Sequence, residues 1–198
     1  LNCRGLQAHI NDSNSDHFLA EATVINLVET SLEQGQQLMP TLLPDFTSHF
    51  CNVGNGKGIA SFVRTECKEI VPSGQSLRPT CQMLRLSSPG LDIISAYKST
   101  IHSRRQLIRD LEELIDPGKA LFVTGDFNID NSKEDSLATE LEGLGFKSMV
   151  NVATHVSGSH LDHAYFRDPE GLWQLTVERF SPYYSDHDLI CGVLKKKH

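Results

Sequence analysis

The sequence predicts an α/β protein in which two packed, mixed β-sheets carry helices on their outer faces. Many short runs of β-branched and apolar residues are typical of buried strands, and amphipathic helical segments stand between some of them. Most consecutive strands lack a helical crossover, which argues against a single parallel, doubly wound sheet. A chain of 198 residues suits one domain with a sizeable core, and we expect a single domain over residues 1–198.

The predicted strands are apolar runs bounded by turn residues. They cover residues 23–30, 58–64, 80–88, 91–98, 119–127, 161–167, 172–180 and 188–196. Gly54, Gly56 and Gly58 mark a turn before the second of these runs.

Two segments have the apolar spacing of amphipathic helices. The first covers residues 103–115, with Ser103 as its N-cap and Pro117-Gly118 after its end. The second covers residues 133–145 and ends at Gly143 or Gly145.

Charge and composition narrow the classes of function. The formal net charge of −7 argues against a broad basic surface for nucleic acid, so a polyanion must be held by a local cationic patch or by metal. Arg104-Arg105 and the run 195–197 are the basic clusters, although either can be an ordinary solvated surface. No apolar stretch is long enough to span a membrane, so no membrane partner is expected.

The five cysteines are scattered and form no CxxC pair, so neither a zinc motif nor a disulfide framework is predicted. We expect free thiols in a reducing, intracellular compartment. The chain begins with Leu1 inside an apolar pattern. We therefore expect a domain excised from a longer polyprotein.

Polar residues recur where the predicted strands end, and side-by-side strands would bring them to one edge of the sheets. Carboxylates gathered there would need a cation, because like charges at close range repel. Taken singly, each residue has an ordinary structural interpretation, such as a turn for Glu29 or a half-buried aromatic for Tyr97. His155, His160 and His163 do not fit one strand face, so we interpret them as structural or exposed. The full set is Asn2, Glu29, Tyr97, Asp126, Asn128, Asp162, Asp186 and His187.

This ordered set resembles the endonuclease/exonuclease/phosphatase superfamily, which includes deoxyribonuclease I and the apurinic endonucleases. The matching runs are "LNCRG", "VET", "SAYK", "GDFN", "LDH" and "SDH". The resemblance implies a four-layer α/β/β/α sandwich of the deoxyribonuclease I-like type. The runs "VETSL", "GKGIASFVR" and "ATHVSGSHLDHAYFR" are similar to the apurinic-type endonuclease domain of non-LTR (LINE-type) retrotransposons and related mobile elements.

The resemblance implies hydrolysis of a phosphodiester by water, with Mg²⁺, or alternatively Mn²⁺, as the cofactor. Glu29 would be the principal metal ligand, supported by Asn2 and Asp186. Asp126 would activate the water with Asn128, and His187, oriented by Asp162, would contact the phosphate. The implied substrate contacts are Tyr97, Asn128, Ser159, Arg104 and Arg105.

By this resemblance the chain nicks target DNA for integration, acting in the nucleus beside a reverse transcriptase or helicase domain of the same polyprotein. Arg4 stands where apurinic repair enzymes have an acid, and Lys98 follows Tyr97 where they have Pro, which puts abasic-site specificity in doubt. Two alternatives stay open. One is a phosphatase or RNA nuclease (deadenylase) of the same superfamily, because a fold does not determine a substrate. The other is a catalytically inactive binding module.

Overall fold

The computed structural model describes residues 1–32, 43–52, 57–131 and 136–197. Gly54 and Gly56, predicted in a turn, lie outside these residues, as does the start of the second predicted helix. The helices are α1 Ile10–Ser15, α2 His17–Glu21, α3 Arg104–Glu112 and α4 Ser136–Gly143. The strands are β1 Val24–Val28, β2 Phe46–Cys51, β3 Ile59–Arg64, β4 Val71–Arg78, β5 Cys81–Ser88, β6 Leu91–Lys98, β7 Ala120–Asp126, β8 Lys147–Ser148, β9 Asp162–Arg167, β10 Trp173–Phe180 and β11 Leu189–Lys196.

Within the described residues the largest sheet has six strands in the order β4-β5-β6-β7-β9-β8. Only β6 and β7 are parallel there, and α3 provides the crossover that such a pair requires. The second sheet layer consists of two separate antiparallel sheets, β1-β3-β2 and the β10-β11 pair. The prediction of packed sheets is confirmed, with the difference that only the six-stranded sheet is mixed.

The alternation of side chains along β7 separates the two faces of the large sheet. Leu121 and Val123 pack against α3 and α4, whereas Ala120 and Phe122 face β10 and β11. Asp126 continues the second series, so it points toward the sheet–sheet interface and away from the two helices.

The opposite outer layer is formed by α1 and α2. Leu19 of α2 packs with Leu27 of β1 and Phe62 of β3 in a single apolar cluster. On the inner face of β1 and β3, Val28 and Ile59 pack against Tyr97 of the large sheet. The resulting order of helix, sheet, sheet and helix is the predicted four-layer sandwich.

All eight predicted strands and both predicted helices are present in the described residues. The Ser103 hydroxyl accepts a hydrogen bond from the Gln106 N–H, as expected of an N-cap. Gly145 takes a positive φ of 84° just after α4, so the later of the two candidate glycines ends this helix.

Five elements were not predicted: α1, α2, β2, β4 and β8. β4 lies at an edge of the large sheet, where Pro72 and an irregular register are tolerated. Its residues are mostly exposed, so it lacks the apolar run on which a strand prediction depends. The two helices have six and five residues, which is too short for a clear helical period.

The five cysteines are all free, as predicted. Over the described ranges, no helix combines the length and the apolar character needed to cross a bilayer.

Candidate active site

Four polar side chains from distant parts of the chain meet at the end of β7. Asp126 pairs in register with Asp162 of β9. The backbone of Asn2 forms an isolated parallel β-bridge with Val28. The Asn2 side-chain Nδ2 donates a hydrogen bond to Asp126 Oδ2 at 2.8 Å. The same Nδ2 lies 3.5 Å from His187 Nε2. All four side chains are buried.

His187 is oriented by Asp162. Its Nδ1 lies 2.8 Å from Asp162 Oδ2, and because a carboxylate only accepts, Nδ1 carries the proton of this bond. Asp162 is in turn positioned by its backbone N–H, which donates to Thr154 Oγ1 at 2.9 Å. Burial disfavours the imidazolium, but the hydrogen bond and charge of Asp162, together with the charges of Asp126 and Asp186, outweigh burial and raise the pKa of His187.

The Asp126 carboxyl group is buried, and each of its two oxygens accepts a hydrogen bond. Burial, followed by the charge of Asp162, raises its pKa to about 6. The Asn128 backbone N–H donates to Asp126 Oδ1 at 2.9 Å. The Asn128 side-chain amide donates instead to the Lys98 carbonyl at 2.9 Å. Asn128 therefore contacts Asp126 through its backbone N–H rather than through its side-chain amide.

Gly125 allows this arrangement. Its φ is 151°, and a Cβ at this position would lie 1.8 Å from the Ala96 carbonyl oxygen. No other residue type permits β6 and β7 to approach this closely just before Asp126.

Glu29 and Tyr97 form an adjoining pair. Glu29 follows β1 with a φ of 54°, a conformation that is strained for a residue with a Cβ. Its Oε1 lies 2.8 Å from Lys57 Nζ. Burial, followed by the charge and hydrogen bond of the Glu29 carboxylate, raises the pKa of the Tyr97 hydroxyl.

Asp186 contacts the side chains of Arg4 and His155. It forms an ion pair with Arg4, and its Oδ2 lies 3.3 Å from His155 Nε2. Burial opposes ionisation, but the charges of Arg4, His187 and His155 outweigh it and lower the pKa of Asp186. The second oxygen, Oδ1, is buried and has no hydrogen-bond partner in the described part of the chain.

His155 is a site residue that the sequence interpretation missed. Its ring centroid lies 4.7 Å from that of His187 in an edge-on arrangement, and its backbone bridges that of His187. The available signal was its place beside Thr154 in the run that leads to Asp162. The interpretation of His155 as structural or exposed did not anticipate its contacts with His187 and Asp186.

The other predicted substrate contacts are Ser159, Arg104 and Arg105. The Ser159 carbonyl accepts from the N–H groups of Thr154 and His155, so this residue shapes the loop beside the site. Arg104 and Arg105 lie on α3, which covers the face of the sheet opposite to Asp126. Arg104 Nε pairs with Glu140 of α4 at 3.0 Å. The two arginines line a surface cavity of about 480 Å³ that is separate from the Asp126 cluster.

Ligand-type atoms gather in two overlapping groups at the site. Asp126, Asp162 and His187 form one group, and His155, Asp186 and His187 form the other, with the ligand atoms of each within 4.8 Å of one another. Within the described residues Glu29 belongs to neither group. The arrangement can hold a cation, and it places a buried carboxylate beside an imidazole of raised pKa.

A sequence profile of the Endonuclease/Exonuclease/phosphatase family matches residues 1–187. The chain belongs to this family. Its enzymes are divalent-metal-dependent phosphodiesterases and phosphatases. Among curated proteins, no sequence matches this chain significantly.

Solved structures share this fold at low sequence identity. A 3′-5′ exonuclease, NExo, from Neisseria meningitidis is 16% identical with a TM-score of 0.75, covering 97% of this chain and 96% of its own. An AP endonuclease from Archaeoglobus fulgidus is 15% identical with a TM-score of 0.70, covering 97% and 96%. The human Nocturnin catalytic domain with bound sulfate is 14% identical with a TM-score of 0.67, covering 100% and 92%.

Proposed function

We propose that this chain is a divalent-metal-dependent phosphodiesterase that nicks DNA. The observation that supports it most directly is the contact network of Asn2, Asp126, His187 and Asp162. It combines a buried carboxylate of raised pKa with an imidazole of raised pKa, which are the base and the cation that phosphodiester hydrolysis requires.

The side chains beside this network fit a hard divalent cation such as Mg²⁺, with Mn²⁺ as an alternative. Glu29 already carries a cationic partner, the Lys57 ammonium, and Asp186 has a buried oxygen without a partner. Carboxylate oxygens are the ligands that Mg²⁺ prefers. Glu29 and Asp186 would hold the ion, with Asn2 nearby. When bound, it would neutralise the non-bridging oxygens of the phosphate.

Asp126 is suited to act as the base. With a pKa of about 6 it is ionised at neutral pH and is still basic enough to accept a proton from water. The Asn2 amide and the Asn128 N–H fix its two oxygens in different directions, so that the carboxylate does not rotate. This preorganisation lowers the cost of proton transfer.

His187 and Tyr97 are suited to bind the phosphate. The proton on His187 Nδ1 is engaged by Asp162, so the Nε2 side of the imidazolium is directed toward Asn2 and Asp126. There it can donate to a phosphate oxygen and stabilise the charge that develops. The raised pKa keeps the Tyr97 hydroxyl protonated; its one O–H donates to Glu29 in this structure and would turn to the phosphate once Glu29 holds the ion.

A nicking assay tests the proposal. Purified chain should convert supercoiled plasmid to the open circular form with Mg²⁺, and EDTA should abolish the reaction. Asp126→Asn, purified in parallel, should show background activity only, which excludes a contaminating nuclease. A chain that nicks no plasmid under any divalent metal would contradict the proposal and favour the inactive binding module.

The finer proposal is that the DNA is a target for integration of a mobile element. It is supported by the runs "VETSL" and "ATHVSGSHLDHAYFR", and it would put the activity in the nucleus beside other domains of a polyprotein. A substrate panel of plasmid DNA, poly(A) and inositol phosphates separates it from the alternatives. Preferential cleavage of poly(A) would indicate an RNA nuclease, and preferential release of phosphate would indicate a phosphatase.

A further inference from the structure

A third group of ligand-type side chains lies under α3, on the helix-covered face of the large sheet. Cys81 begins β5, His102 stands just before α3, and Asp110 lies within α3. Their ligand atoms are all within 4.8 Å of one another. Cys81 and Asp110 are fully buried, and the His102 side chain is 7% exposed. The group belongs neither to the Asp126 site nor to the reaction proposed for it.

Among the residues that the structure describes, two of the three ligand atoms find no hydrogen-bond partner. His102 Nε2 is buried and unpaired although it faces Asp110 Oδ2 at 3.8 Å. Cys3 and Cys51 donate their thiols to backbone carbonyls, whereas the Cys81 thiol makes no hydrogen bond within the described residues. Buried polar atoms that converge without hydrogen-bond partners require an explanation, because burying each of them costs desolvation energy that no hydrogen bond offsets.

The partners around the group hold the ligands in orientations that suit a metal. His102 Nδ1 lies 2.8 Å from Thr80 Oγ1, so the remaining lone pair of the neutral ring can be on Nε2. Asp110 accepts from Arg78 Nε on both oxygens and from Gln106 Nε2 at 2.8 Å. In the tautomer whose Nδ1–H donates to Thr80, the Nε2 lone pair faces the Asp110 carboxylate, and a cation between these two atoms would stabilise that arrangement.

We propose that Cys81, His102 and Asp110 form a zinc site that ties the start of β5 to α3. A thiolate, an imidazole and a carboxylate together favour Zn²⁺ over Mg²⁺, which prefers oxygen ligands alone. The fourth position is left to water. Ligand atoms around tetrahedral zinc lie roughly 3.3–3.8 Å apart, so the group has to contract by up to about 1 Å when the ion binds.

Binding displaces the thiol proton. Burial raises the pKa of Cys81 to about 12, so the metal-free thiol is protonated. Zinc forms a bond to sulfur as the S–H bond breaks, and the proton leaves to solvent. The two anionic ligands then balance the charge of the ion, and Arg78 stays on Asp110.

Cobalt substitution tests the site independently of catalysis. Purified chain stripped with EDTA and titrated with Co²⁺ should develop the near-ultraviolet absorption of a thiolate-to-cobalt bond, saturating at one equivalent. Zn²⁺ should remove the band, and excess Mg²⁺ should leave it unchanged. Cys81→Ser and His102→Gln should each abolish the band or lower the apparent affinity for Co²⁺ at least tenfold.

Cys51→Ser is the matched control, because this cysteine is also buried but its thiol donates to the Met83 carbonyl. It should keep the band. Circular dichroism shows whether each variant is folded. If Cys81→Ser is unfolded, His102→Gln, which changes the least buried ligand, still tests the site. Wild-type protein without a thiolate band, or a band that survives in His102→Gln, would overturn the proposal and leave an ordinary packed core. Neither result bears on the nicking reaction.

Discussion

The Nδ1 atom of His187 lies 2.8 Å from Oδ2 of Asp162, and both side chains are buried. This contact determines which ring nitrogen faces Asp126 and which protonation state the ring prefers. Because Asp162 also pairs in register with Asp126, one carboxylate influences both groups to which the chemistry is assigned. Asp162 raises the pKa of Asp126 through its charge and that of His187 through its hydrogen bond and charge.

Asp162→Asn should therefore shift the whole pH–activity profile to lower pH. In the proposed mechanism, activity requires ionised Asp126, which sets the acidic limb, and protonated His187, which sets the alkaline limb. Removing the charge of Asp162 lowers both pKa values, so both limbs move in the same direction. Initial nicking rates from about pH 5 to about pH 9 measure this. An alkaline limb that stays in place would count against the role of the imidazolium.

Asp126→Asn should reduce turnover by at least about two orders of magnitude, because an amide cannot accept the proton from water. The measurement is single-turnover nicking of supercoiled plasmid. Asp168→Asn is the matched control: Asp168 follows the opposite end of β9 and caps the Trp173 N–H. It should retain wild-type activity. Comparable losses in both variants would point to a general folding defect.

The same Asp126→Asn variant should be more stable than the wild type at neutral pH in metal-free buffer. The folded-state pKa of about 6 lies above the ordinary value of 3.8, so folding favours the protonated carboxyl. That stability is fully present below about pH 4 and is lost as the pH rises through about 6. The amide of the variant carries no charge, so the variant avoids the loss. Its free energy of unfolding should exceed that of the wild type by about 1–3 kcal/mol at about pH 7.

Urea denaturation at neutral pH and at about pH 4 checks this prediction. The difference between the variant and the wild type should shrink toward zero at the lower pH, where both side chains are uncharged. A constant difference would mean that the change in packing or hydrogen bonding, rather than the charge, is responsible.

Substitutions of Glu29 and of Lys57 should have opposite effects on Mg²⁺-dependent nicking. Glu29→Gln removes the carboxylate proposed as the main ligand and should reduce Mg²⁺-dependent nicking by about 100-fold or more. Lys57→Met removes an ammonium that lies 2.8 Å from Glu29 Oε1 and competes with a cation. It should lower the Mg²⁺ concentration needed for half-maximal activity. Titration of Mg²⁺ against nicking rate measures both effects, and an increased requirement in Lys57→Met would contradict the assignment.

Gly125→Ala should abolish stable folding, because its Cβ would lie 1.8 Å from the Ala96 carbonyl oxygen. The matched control is Gly143→Ala at the end of α4, where a Cβ meets nothing within 4 Å. That change should stabilise the protein by about 0.5–1 kcal/mol. Thermal denaturation of the two variants is the measurement. A cooperative transition near that of the wild type for Gly125→Ala would contradict the close approach of β6 and β7.

The strands of the core could be predicted because burial on one or both faces imposes a visible apolar pattern. β6 was predicted with its observed bounds, Leu91–Lys98. β4 and β8 could not, because an edge strand is stabilised by backbone hydrogen bonds to its neighbour and needs few apolar side chains. The two short helices could not be predicted either, because their stability depends on packing against β1 and β3 rather than on their own sequence.

The sequence by itself determined the α/β class, the central strands, the order of the polar residues and the family to which they point. Only the tertiary structure decided which side chains meet. Arg4 and His155 contact Asp186, Asn128 reaches Asp126 through its backbone, and Arg104 faces away from the site. Burial leaves a periodic mark along a chain. A contact between residues far apart in sequence leaves none, because it depends on how separately stable elements pack together.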